Sequence, residues 1–387
     1  MKLLVEPRFD LYVDIITARA KSEENVIQLQ WGELAAKPPE EIVEFFLEGY
    51  RKGKIRYTAP HGDIELREAI RDKVRKKNRI NVDVDNIIVT VGGTAAINFV
   101  FRIIAGDGGY IIIQDPSWFG YTGIANYVGA RTMRILEIKY GYEEFKKAYE
   151  EVRAKGGELR GIVLNYPANP TGYVFDTEIM REAIDFAEDY DILIISDEAY
   201  EDYVFEGEHT SIGSIRGINN VLSVFTISKT YAFTGLRIGY AVGPEEIINA
   251  MATAQVHTYI SPPAINQYVA MRILRENLDR PFVEENLKLL RKNLKIVRDF
   301  VYENSWEMVE PKGGIYAFIR LPGIKSQNFA LKLLEEEKVA IAPGVDFGEK
   351  WTDWIRITIA KSEEEIVEGL SRIKKLYARW IKPPCTC

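Results

Sequence analysis

Ser228 and Lys229 follow an apolar run, Val221 to Ile227, and Arg237 stands eight residues beyond the lysine. Between them lie mostly apolar residues, including Tyr231, Ala232, Phe233, Gly235 and Leu236. An amine beside such a segment is placed to attack a carbonyl carbon, although a lone lysine of this kind is ordinarily just solvated. Other polar groups also sit at the ends of apolar runs. Asp197 and Glu198 close the run Ile192 to Ile195, with Tyr200 just beyond. Carboxylates there contribute nothing to packing, whereas open α/β sheets bind ligands outside the carboxyl ends of their strands. Gly92-Gly93-Thr94 follows Asn86 to Thr90 and opens a helical pattern. Backbone N–H groups and a hydroxyl at a helix start suit a phosphate. A tight turn with Thr94 as N-cap accounts for the same residues. Asn165 precedes Pro167 and Asn169-Pro170-Thr171-Gly172, where a proline–glycine turn held by asparagine is the plain reading.

Together these groups fit one cofactor. Pyridoxal phosphate needs a lysine for its aldehyde, an anion site for its phosphate and a carboxylate against its ring nitrogen. The protonated ring then acts as an electron sink. Trp118, after Asp115-Pro116, offers an aromatic plane to stack on the ring. Arg356 remains to take a substrate carboxylate.

Elements must hold these residues at one place. Asn86 to Thr90, Tyr110 to Ile113, Arg160 to Leu164, Ile192 to Ile195 and Val221 to Ile227 read as strands. Helical patterns lie around 142–155 and 177–190. Strands apolar throughout, separated by amphipathic helices, predict an α/β fold with a mostly parallel sheet covered on both faces. After about residue 280 the pattern changes. A charged amphipathic segment, 283–303, leads to short strands at Ile315 to Ile319 and Trp354 to Ile359. Helices over 326–337 and 362–379 flank them, which reads as a smaller α+β domain. Glu40 to Leu47 reads as helical, and Gln30 to Glu33 as a glycine-containing crossing segment. The division expected is an N-terminal segment with part of the small domain at 1–45, a large cofactor domain at 46–285 and a small domain at 286–387.

Composition narrows the function classes. The chain has 387 residues, 47% of them hydrophobic, and a net charge of -7. Its charges are mixed rather than blocked, so neither a nucleic-acid groove nor a polybasic membrane patch is indicated. No uncharged run reaches membrane-spanning length, and a cytoplasmic protein is expected. The two cysteines, Cys385 and Cys387, lie in the last three residues, which excludes a disulfide framework. A terminal Cys-x-Cys could hold a metal; a loose tail is the plainer reading. The three histidines, His61, His209 and His257, form no His-Glu-x-x-His motif. No Gly-x-Ser-x-Gly elbow, P-loop or dinucleotide fingerprint occurs. Chemistry in this chain therefore rests on something other than histidine, cysteine or a catalytic serine.

The chain resembles the fold-type I pyridoxal-phosphate enzymes of the class I/II aminotransferase family. The resemblance rests on YTAPHGDIELR from Tyr57, VTVGGTAAI ending at Ile97, and Asp115 to Trp118. It continues through NYPANPTG ending at Gly172, SDEAY from Ser196 and TISKTYAFTGLRIGY from Thr226. KGGIYAF from Lys312 and RITIA from Arg356 complete it. It implies a seven-stranded, mostly parallel sheet flanked by helices in the large domain. It also implies a Lys229 Schiff base, with Lys229 carrying the proton between substrate and cofactor in a ping-pong cycle. Asp197 would pair with the ring nitrogen. Asn169 and Tyr200 would bond the ring hydroxyl, and Trp118 would stack on the ring. Gly93, Thr94, Thr226 and Arg237 would hold the phosphate. Tyr57 would reach the phosphate of a neighbouring subunit, so a homodimer with shared active sites is implied. Arg356 would clamp the substrate α-carboxylate, with Gly32 approaching the substrate through its backbone.

Departures from the family pattern bear on the substrate. Gly32-Glu33-Leu34-Ala35 replaces the usual Gly-Glu-Pro-Asp. The distal arginine of aspartate-preferring members is missing before Ser261-Pro262-Pro263, and Thr94 stands where some members carry lysine. A bidentate arginine is the usual partner of a distal carboxylate. The expected donor is therefore a neutral or aromatic amino acid, with 2-oxoglutarate as acceptor. Tyr12, Trp31, Tyr259 and Tyr316 are candidate side-chain contacts or simply core residues. A carbon–sulfur β-lyase on the same scaffold uses the same Lys229 and Asp197. A non-catalytic cofactor-binding regulator would need a DNA-binding module, for which no residues are left over.

Overall fold

The computed structural model describes residues 11–381; Cys385 and Cys387 lie outside the described residues. Seven strands form the main sheet: β1 (Ile87–Thr90), β2 (Tyr110–Asp115), β3 (Arg131–Leu136), β4 (Leu159–Asn165), β5 (Leu193–Asp197), β6 (Val221–Thr226) and β7 (Gly239–Val242). Their order across the sheet is β1-β7-β6-β5-β4-β2-β3. All neighbours run parallel except β7, which is antiparallel to both β1 and β6. Covered on both faces, β1 and β7 are buried at every position. That burial is why the central strands read as unbroken apolar runs rather than alternating ones.

Strand ends matter more here than strand centres. The sequence extends the last run to Ile227, but β6 stops at Thr226. Thr226 Oγ1 accepts the Ser228 N–H at 3.1 Å and starts a helical turn, Ile227–Thr230, that carries Lys229. Conversely, the run expected over Ile192 to Ile195 continues through Asp197, which is the last residue of β5. The helix after β1, Gly93–Ala105, begins one residue before Thr94. Gly92 is its N-cap, with φ +74° and no side-chain bond, so Thr94 belongs to the first turn and does not cap it. Only a residue without Cβ takes that conformation at no cost.

A second, antiparallel sheet contains β8 (Glu307–Val309), β9 (Tyr316–Arg320), β10 (Ala342–Pro343) and β11 (Trp354–Thr358), ordered β10-β11-β9-β8. Arg356 pairs with Phe318 across β9 and β11. Leu290, Leu294, Val297 and Val301 on the helix Asp279–Glu303 pack against this sheet and against the helix Glu363–Trp380. Ile16, Ala20 and Leu29 of the N-terminal segment join the same apolar cluster. A capping box between Ser362 and Glu365 starts the helix Glu363–Trp380. Among the described residues, no helix is long and apolar enough to cross a membrane.

Candidate active site

The carboxyl ends of β1, β4, β5 and β6 converge on a cavity of about 270 Å³. All the residues expected to hold the cofactor and the substrate carboxylate line it except Tyr57. Tyr57 is 80% exposed and stands away from its own chain's cavity.

One end of the cavity suits a phosphate. The helix Gly93–Ala105 points its amino end there, where unpaired N–H groups and the helix dipole favour an anion. Arg237, held at φ +53°, lies so close that a Cβ on Gly92 would come within 2.4 Å of its Nη2. A Cβ on Gly239 would come within 2.4 Å of Gly93 N. The glycines thus leave a cradle that side chains would fill. Thr94 and Thr226 add hydroxyls to its wall.

Asp197 stands in the middle. Its Oδ2 accepts the Tyr121 hydroxyl at 2.6 Å, and its Oδ1 accepts the Ala199 N–H at 3.2 Å. Burial pushes the Asp197 carboxyl above the usual range, while those two bonds pull it down. The nearby Glu198 charge adds to the rise, and Lys229 opposes it. A cationic N–H placed against Asp197 would favour its ionised form in the same way. Lys229 Nζ reaches the cavity and donates to the Gly32 carbonyl at 2.7 Å. Trp118 meets Tyr121 edge-on, with ring centroids 5.2 Å apart.

The far side of the cavity holds Arg356, Tyr200 and Tyr316. Arg356 is buried; its Nη1 donates to Asn169 Oδ1 at 2.8 Å and its Nη2 to the Gln30 carbonyl. Its guanidinium lies 4.1 Å from the centre of the Tyr316 ring, a cation–π contact. Its Nε is buried without a hydrogen-bond partner among the described residues. A buried donor left unpaired is costly, so this group suits an anionic guest. Tyr200 and Tyr316 share a hydroxyl–hydroxyl bond at 2.9 Å. A Cβ on Gly32 would fall 1.7 Å from Tyr316 Oη, so this position requires glycine.

Of the four aromatic candidates, Trp31 and Tyr316 line the cavity, while Tyr12 and Tyr259 do not. Tyr259 donates to Gln255 at 2.6 Å and packs against Phe99, an ordinary interior role. The backbone N–H of Tyr12 donates to Asp346 at 3.2 Å. Sequence reasoning missed Tyr121 as a partner of Asp197. Its place is three residues after Trp118, at the start of the helix Gly120–Val128, where its N–H donates to the Trp118 carbonyl at 3.1 Å. Asn165 combines both of its readings: Oδ1 accepts the Asn169 N–H at 2.9 Å within the turn, and the residue also lines the cavity.

Residues 24–373 match the family model described as aminotransferase class I and II. The chain is similar to a (5-formylfuran-3-yl)methyl phosphate transaminase of Methanocaldococcus jannaschii, at 33% identity over 94% of this chain and 95% of that one. It is also similar to an aromatic-amino-acid aminotransferase of Thermococcus litoralis, at 31% identity over 92% of this chain and 93% of that one. A solved aspartate aminotransferase from Thermus thermophilus with maleate superposes with a TM-score of 0.89, at 29% identity over 97% of this chain and 100% of that one. A lysine, a carboxylate and an anion cradle at the strand ends, in a chain matched along nearly its whole length, identify it as a member of the class I and II aminotransferases, an enzyme of the fold-type I pyridoxal-phosphate family.

Proposed function

We propose that this aminotransferase binds pyridoxal 5'-phosphate and takes the amino group of a neutral or aromatic L-amino acid in preference to aspartate, passing it to 2-oxoglutarate. The relatives' names span aspartate, aromatic and furan-phosphate substrates, so likeness does not choose among them. The observation that carries the preference is the charge of the cavity wall. Its basic side chains are Lys229, Arg237 and Arg356, and each already has a task. Among the described residues, a distal carboxylate would find no further cation there, and would meet Glu33 instead. Trp31, Phe119 and Tyr316 offer it aromatic surface.

The residues fit the cofactor as follows. Arg237, Thr94, Thr226 and the N–H groups after Gly92 would hold its phosphate. Asp197 would hold its ring nitrogen, and Lys229 its aldehyde end. When bound, pyridoxal phosphate supplies an electron-withdrawing ring that stabilises negative charge at the substrate Cα. Lys229 Nζ takes the Cα proton and returns it on the other side of the transfer. Asp197, whose charged form the Tyr121 hydroxyl and the Ala199 N–H favour, would keep the ring nitrogen protonated. Arg356 orients the donor through its carboxylate, which fixes the Cα–H bond toward Lys229. Closely packed tyrosines 200 and 316 exclude water from that side.

An amino-donor screen with 2-oxoglutarate tests this reading. Phenylalanine or a neutral donor should exceed aspartate in kcat/KM. Equal efficiency on aspartate and phenylalanine would contradict the preference. Release of ammonia without glutamate would contradict amino transfer and indicate a lyase.

We also propose a homodimer. Val43, Leu47 and Tyr50 are exposed at helical spacing on Glu41–Arg51, and Ile55 and Tyr57 extend the patch. An apolar stripe of this kind marks an interaction surface. Leu47→Glu should convert a dimer to monomers in sedimentation; a wild-type monomer would contradict the proposal.

A further inference from the structure

The turn that carries Lys229 is short, and its carbonyl end does not continue into a longer helix. Such ends need partners from elsewhere. Here they come from the segment that follows Asp197. Tyr203 Oη lies 3.2 Å from the carbonyls of both Lys229 and Thr230, and its single proton is shared between them. Asp202 Oδ2 accepts the Thr230 hydroxyl at 2.5 Å, and Lys77 pairs with the same carboxylate. Tyr203 is fully buried. Its own backbone carbonyl accepts the Gly314 N–H at 2.7 Å, two residues before Tyr316. Its N–H donates to Tyr200 O at 2.9 Å. One side chain therefore touches the lysine turn while its backbone bonds Tyr200 directly and Gly314, two residues before Tyr316.

We propose that Tyr203 is a positioning residue for Lys229: by bonding the two carbonyls that end the lysine's turn, it fixes Nζ relative to Asp197 and the substrate Cα. The inference rests on Lys229 being the proton-carrying amine. Proton transfer demands close approach, and a displacement of about 1 Å costs roughly 100-fold in rate. Thr226 and the Ile227 N–H fix the start of the turn, and the Tyr231 and Phe233 N–H groups close it on Ile227 and Ser228; the Tyr203 hydroxyl is the side-chain bond at the carbonyls of Lys229 and Thr230 themselves. Tyr203 fills the interior in either case; its hydroxyl is what the proposal concerns.

Tyr203→Phe in the cofactor-loaded enzyme tests it. The rate at which a donor bleaches the visible absorbance of the lysine-bound cofactor should fall roughly tenfold. The isotope effect with an α-deuterated donor should rise, and cofactor affinity should stay close to wild type. In the cofactor-free protein, hydrogen exchange should quicken at Tyr231 and Phe233, whose N–H groups close the turn, and stay unchanged in β5. A wild-type rate and isotope effect would overturn the proposal, as would uniform loosening of the whole chain. If Tyr203→Phe does not fold, Thr230→Val removes the bond to Asp202 instead, and a wild-type transfer rate in that variant overturns it. Lys229→Ala separates the two ideas. If it keeps the absorbance and turnover, the lysine assignment fails; if it loses them while Tyr203→Phe behaves as wild type, the positioning role alone fails.

Discussion

The hydroxyl of Tyr121 and the carboxylate of Asp197 share a 2.6 Å hydrogen bond at the floor of the cavity, with the tyrosine completely buried. A buried carboxylate that must stay charged needs such donors. Burial alone pushes Asp197 upward, and this bond opposes that rise more strongly than any other neighbouring group does. Tyr121→Phe should therefore raise the Asp197 carboxyl further and weaken its hold on a protonated ring. A hydrogen bond to a charged group contributes about 1.5–3 kcal/mol, so the cofactor dissociation constant should rise at least roughly tenfold. Equilibrium dialysis of the variant measures this. Unchanged affinity would show that Asp197 does not depend on Tyr121.

Gly32 and Tyr316 make a steric prediction. A Cβ at Gly32 meets Tyr316 Oη at 1.7 Å, so Gly32→Ala must displace Tyr316 and break its bond to Tyr200. Turnover should fall roughly 100-fold, in keeping with the cost of a 1 Å displacement. The chain should still fold, because Tyr316 borders the cavity and its hydroxyl end has room to move into it. Steady-state kinetics and circular dichroism report the two parts separately.

Glu137 gives a pH signature away from the chemistry. Burial pushes its carboxyl up to about 8, against bonds from Thr171 and Gln114 that lower it. The folded chain thus holds a proton that the unfolded chain releases near pH 4.5. The stability this contributes is complete below that pH and is lost as pH rises through about 8. Glu137→Gln keeps the acceptor oxygen without the charge. Its Tm should match wild type at pH 5 and exceed it at pH 9, with up to roughly 5 kcal/mol at stake. Parallel Tm curves across that range would contradict the assignment.

Much of this was legible in the sequence where burial is complete. The central strands appear as apolar runs because both of their faces are covered. Asp197 and Lys229 stand out because polar groups follow those runs, and Arg237 because it breaks the apolar segment after Lys229. Edge strand β3, Arg131–Leu136, was not legible, since its residues are mostly half-exposed and two of its six are arginines. The four-residue β7 was hidden because it follows the Arg237 turn without a break in apolar character. Tyr121 was missed for a similar reason: a buried tyrosine near tryptophan reads as core until its hydroxyl is seen on Asp197. Tyr203 escaped notice because its partners are backbone carbonyls, which no side-chain pattern encodes.

In the proposed mechanism, Lys229 is the amine on which the whole transfer depends. The most direct test of that role is single-turnover spectroscopy of Lys229→Ala beside wild type, both supplied with pyridoxal phosphate and then with a donor but no keto acid. Wild type should show a visible band that the donor bleaches as the cofactor takes up the amine. The variant should lack that band and transfer the amine at least roughly a thousandfold more slowly, because it has lost its proton-carrying base. A variant that kept the band and a wild-type rate of transfer would contradict the role given to Lys229.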